Sequence, residues 1–141
     1  MVIRPPDHSG CMQLQPPTLK TIVMQATQLE SLTLAGCRGL KPPVLGQALR
    51  HLPHLRQLDL SGLTAVTEGA LANLNAPLLE DLNLTRCRGL SAVGLWRLLN
   101  EATGSGLRTL RMAGCDRAVN DDLLVSLGQQ HLRLDSLDIS D

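Results

Sequence analysis

The sequence predicts an α/β solenoid, a row of stacked units in which each short strand is followed by a helix and the strands join into a parallel sheet. Two observations carry that expectation. A nine-residue apolar pattern occurs five times, starting at residues 29, 55, 79, 107 and 134, with spacings of 26, 24, 28 and 27. After four of these copies, apolar residues recur at intervals of three and four, the spacing of a helix with one buried face.

The strand half of each unit is the better defined. Leu29, Leu32, Leu34 and Cys37 align with Leu55, Leu58, Leu60 and Leu63, then with Leu79, Leu82, Leu84 and Cys87, and with Leu107, Leu110, Met112 and Cys115. Leu134, Leu137 and Ile139 begin a fifth copy. Extended backbone alternates its side chains, so the Leu positions face a core and the third, fifth and seventh positions face outward. No single unit has enough apolar surface to fold alone; stacking extends one core through all of them.

The helical half follows an apolar foot at Leu40, Val66, Leu90 and Val119, with Leu45, Leu71, Leu95 and Leu124 five residues later. Ala48, Leu49 and Leu52, then Leu74, then Leu98 and Leu99, then Leu127 continue the buried stripes. Thr67, Ser91 and Asn120 are placed to cap the helix starts, and Asp121 and Asp122 complement the positive end of the last helix. Pro42 and Pro43 suit a first helical turn, where a missing N–H costs nothing. Trp96, next to the inward Leu95, is expected to be a partly buried filler between helices. The proline-rich residues 1–18 read as an extended or disordered arm, and residues 19–28 as a helix capping the first strand.

The pattern L-x-x-L-x-L-x-x-C, an apolar foot, a Thr- or Asp-type cap and a helix resembles the cysteine-containing leucine-rich repeats of F-box and related adaptor proteins. The resemblance covers residues 29–141 and implies a right-handed solenoid of about five units, with a concave parallel sheet and convex helices. It further implies a non-catalytic surface for a protein partner. An alternative it carries is the substrate-recognition part of an F-box-type ubiquitin ligase, with a ligase adaptor as partner. Leu63 departs from the ninth-position Cys, and no F-box pattern precedes residue 29, so adaptor activity is expected only through a part outside this chain. From another class, a structural subunit of a larger assembly fits an uncovered fifth strand, whose edge is expected to be covered by further repeats or another subunit.

Composition narrows the partners. Thirteen basic and thirteen acidic residues cancel, so no overall field draws the chain to nucleic acid or an anionic membrane. Trp96 is the one aromatic residue, which leaves no base-stacking platform. No apolar run is long enough to span a membrane, and the start, Met1 to Pro6, lacks the pattern of a signal peptide. Cys11, Cys37, Cys87 and Cys115 lie too far apart for a zinc cluster and read as free thiols, which points to an intracellular location, cytoplasmic or nuclear. Neither a nucleophile elbow, a phosphate-binding loop nor a zinc-protease pattern is present, and Pro53 interrupts His51 and His54. No enzyme activity, cofactor or metal is expected.

Two sets of binding residues are predicted. Thr33, Asp59, Asp81, Asn83, Arg111 and Asp138 project from the outward face to grip a protein partner. Arg38, Arg86, Arg88 and Arg117 occupy comparable turns along one loop rim, suited to phosphate or an acidic peptide. The second positions, Glu30, Arg56, Glu80, Arg108 and Asp135, alternate in sign and are expected to pair along the row. The ninth-position cysteines are expected to act as small apolar residues with a weak S–H donor.

Overall fold

The computed structural model describes residues 2–3, 17, 21, 28–37, 39–50, 52–103, 106–129 and 134–140. Its strands are β1 (Val2–Ile3), β2 (Ser31–Thr33), β3 (Gln57–Asp59), β4 (Asp81–Asn83), β5 (Thr109–Arg111) and β6 (Ser136–Asp138). They form one parallel sheet in chain order, so each unit adds its strand beside the previous one. The middle leucines are in register: Leu32 opposite Leu58, then Leu82, Leu110 and Leu137. Backbone bonds extend the ladder past the strands; the Leu34, Leu60 and Leu84 N–H groups donate to the carbonyls of Asp59, Asn83 and Arg111 at 2.8, 2.9 and 2.8 Å. The sheet also has a rung outside the five predicted ones, because β1, within the proposed 1–18 arm, pairs with β2.

Between the strands run α1 (Pro42–Leu49), α2 (Glu68–Leu71), α3 (Ala92–Arg97) and α4 (Asp121–Gln129), with a π-helical turn over Leu98–Ala102 after α3. Pro42 opens α1. Thr67 Oγ1 accepts from the Ala70 N–H at 3.3 Å, Ser91 Oγ from Gly94 at 3.2 Å and Asn120 Oδ1 from Leu123 at 2.9 Å, so all three predicted caps are made. Each satisfies a backbone donor that the first helical turn leaves without a partner. Consecutive helices pack against one another, and the strand leucines and helix leucines form a single core from Leu29 to Leu127. Of the predicted capping helix, Pro17 just before it and Thr21 within it are helical, and Thr21 Oγ1 donates to the Pro17 carbonyl at 2.9 Å; residues 19–20 and 22–27 lie outside the described set.

Three expectations need correction. In the fourth unit the buried foot is Ala118 and the inward helical residue is Leu123, one position earlier than Val119 and Leu124, which are only partly buried. The cause is the turn leaving the strand: the N–H of Leu40, Leu90 and Ala118 donates to the carbonyl of Cys37, Cys87 and Cys115, three residues before. That bond sets the count, whereas hydrophobicity alone favours Val119. Trp96 is 44% exposed, not a filler, because the inward side of α3 is already taken by Leu95, Leu98 and Leu99 at its end. The charge row pairs at two of its four junctions among the described residues, Arg56 with Glu80 and Arg108 with Asp135. One guanidinium held by one neighbour leaves the intervening junctions open.

Candidate functional site

The sequence dictates an outward rank. Because the strands are in register, Thr33, Asp59, Asn83, Arg111 and Asp138 stand side by side across β2 to β6. All five are half-buried, each flanked by the strand next to it. Asp81, one pleat away, reaches diagonally to Arg111, whose Nη1 donates to Asp81 Oδ1 at 2.9 Å.

Three of these residues also do local work that the sequence reading missed. Asp59 Oδ1 accepts from the Ser61 N–H at 2.9 Å, Asn83 Oδ1 from Thr85 at 3.1 Å, and Asp138 Oδ1 from Ser140 at 3.1 Å. The Ser140 hydroxyl adds a second bond to Asp138 at 2.8 Å, and these bonds hold the Asp138 carboxyl below its usual range, with a smaller pull from Arg111. The signal was present: Asp or Asn in the fifth position comes with Ser or Thr in the seventh in units two, three and five, while Thr33 and Arg111 come with Ala35 and Ala113. A short side chain accepting from its own backbone two residues on is the Asx arrangement, and it secures the chain just before the rim.

At the rim, the eighth position of each of the first four units takes a left-handed backbone. Gly36, Gly62 and Gly114 have φ of 70°, 70° and 66°, and Arg86 has φ of 60° in the same place. Glycine adopts this conformation freely, while a residue with a Cβ loses about 1–2 kcal/mol there. Arg86 nevertheless keeps its place in the ladder, its N–H donating to the Ala113 carbonyl at 2.7 Å. Its stem lies across Gly114, where an added Cβ would stand 3.3 Å from Arg86 Cγ. Arg86 and Arg88 share a shallow open groove with Ser61, Thr85, Asp116 and Ser140. Arg117 is exposed and does not line it, and Arg38 lies outside the described residues. Among the described residues, Arg56, Arg108 and Arg111 are paired with carboxylates, whereas Arg86 and Arg88 form no ion pair.

The thiols face inward. Cys87 Sγ lies 3.2 Å from the Leu60 carbonyl and Cys115 Sγ 2.9 Å from the Leu84 carbonyl, each as a donor to the preceding unit. Those carbonyls also take the N–H of Leu63 and Cys87, so the thiol ties two successive turns together. Burial pushes the Cys87 thiol up to about 12, and burial also raises Cys115 against the opposing pull of backbone N–H groups. Both stay protonated at neutral pH, and a protonated thiol is a poor nucleophile and metal ligand.

Among the described residues no three His, Cys, Asp or Glu side chains gather as a metal-binding group, and no helix is long and apolar enough to cross a membrane. No protein-family model matches the chain, and no curated protein sequence matches it.

Proposed function

We propose that this chain is a non-catalytic leucine-rich-repeat solenoid of the cysteine-containing class that binds a protein partner through its outward sheet face and the adjoining Arg86 rim. The repeat reading is supported by five motif leucines standing in register on parallel strands, and by cysteine thiols that bond back to the preceding unit. One observation carries the binding reading: the outward residues form an ordered, half-exposed polar rank held by their own turns and by the Asp81–Arg111 pair. A surface ordered before contact loses less entropy when a partner covers it.

The test uses third-position residues that cap no turn. Gln57→Arg combined with Thr109→Arg adds bulk and charge to the face while leaving the Asx bonds in place. Affinity capture followed by mass spectrometry should lose the wild-type partner set, with thermal unfolding little changed. Unaltered capture would move the interface off the sheet.

A second reading, a structural subunit of a larger assembly, is favoured by Leu137 and Ile139 on the last strand segment, 40% and 37% exposed. Salt-resistant retention in a large particle, abolished by Leu137→Asp with Ile139→Asp, would support it.

A further inference from the structure

We infer that the groove at Arg86 and Arg88 receives a phosphorylated serine or threonine of the partner; this deepens the protein-binding reading above and rests on it. The first observation is the exception at the eighth position. Three units place glycine in the left-handed turn and the third places arginine, accepting backbone strain that glycine avoids. The second is that Arg86 is held: its backbone is bonded to Ala113 and its stem lies on Gly114, which has no side chain to obstruct it. The third is charge. Among the described residues, Arg86 and Arg88 carry two guanidinia with no ion-pair partner, and Asp116 is the one carboxylate lining the groove.

The ligand class follows from these donors. A guanidinium presents a planar fork that matches two oxygens of a phosphate, and two forks with neighbouring hydroxyls suit an anion with three acceptor oxygens better than a carboxylate with two. Thr85 and Ser61 line the groove with such hydroxyls, whereas the Ser140 hydroxyl is already committed to Asp138. The groove is open and adjoins the outward rank through Thr85 and Ser140, which stand two residues beyond Asn83 and Asp138. A segment lying on the sheet therefore reaches it by continuing along the chain direction of the strands.

Amide chemical shifts of the full chain, titrated with N-acetyl-phosphoserine methylamide, test the inference. Saturable shifts centred on Thr85, Arg86 and Gly114 are expected, at least tenfold weaker with N-acetyl-glutamate methylamide. Arg86→Gly should melt at a higher temperature than wild type and bind phosphoserine at least tenfold more weakly, a combination that a merely structural arginine does not produce. Arg88→Gln, which leaves the turn backbone unchanged, should weaken binding without raising the melting temperature. Non-saturable or scattered shifts, or wild-type affinity in both variants, would overturn the inference. Inorganic phosphate binding as tightly as phosphoserine would overturn its assignment to a partner segment. The Gln57→Arg, Thr109→Arg variant should bind phosphoserine normally, so failure here and failure of the sheet-face reading are read separately.

Discussion

Leu82 on β4 and Leu137 on β6 occupy the same place in the same nine-residue pattern, yet Leu82 is fully buried and Leu137 is 40% exposed. Their strands have equal length and their backbones the same parallel pairing. What differs is the company: β4 lies between β3 and β5, while among the described residues β6 pairs with β5 alone. The motif thus specifies a strand and its register, but burial, and with it stability, is conferred by the units on either side. This agrees with the proposed repeat reading, in which each unit is stabilised by its neighbours.

The sharpest way to break that comparison is to truncate both leucines. Leu82→Ala removes a buried side chain from a packed interior and should cost about 2–5 kcal/mol in urea unfolding, whereas Leu137→Ala should cost about 1 kcal/mol or less. Equal losses would mean that β6 is as well packed as the middle of the sheet.

A smaller effect should appear at alkaline pH, through the interior thiol of the third unit. The Cys87 thiol stays protonated in the folded chain up to about 12, against an ordinary 9.0. The unfolded chain therefore loses this proton first. The stability linked to Cys87 is complete below pH 9 and declines as pH rises toward 12, by at most about 1.4 kcal/mol per pH unit. Urea midpoints measured under reductant from pH 8 to 10.5 should fall, and Cys87→Ala should flatten the decline; parallel curves for the two proteins would contradict the burial of this thiol.

The smallest difference concerns the charge row. Arg56 and Glu80 are partly screened from water, with side chains 49% and 43% exposed, while Arg108 and Asp135 beside β6 are both at 67%. Double-mutant cycles should give couplings of about 0–1 kcal/mol, larger for the inner pair, and both should shrink in 0.5 M NaCl as screening sets in. A stronger outer pair would reverse the ordering of the two regions.

Most of the fold was legible because its signals are local and repeated. The leucine spacing located five of the six strands among the described residues, and Thr67, Ser91 and Asn120 marked three helix starts through caps that involve only neighbouring residues. The strand β1 was not legible, since a two-residue pairing carries no period. The shift from Val119 to Ala118 escaped because a backbone turn, rather than side-chain hydrophobicity, sets the count. The candidate site was legible in its membership more than in its roles. Asp59, Asn83 and Asp138 were found as outward residues, but their turn bonds depend on backbone angles. Of the three rim arginines among the described residues, Arg86 and Arg88 share one groove and Arg117 does not line it.

The amino-acid order alone determined the period, the order of strands and helices and the inward-facing strand positions, because alternation, helical spacing and capping act over a few residues. Only the tertiary structure decided which leucines are covered, which charges pair and which arginines meet. Those outcomes depend on atoms brought together from units some 25 residues apart in sequence, whose distances emerge only once the strands are stacked.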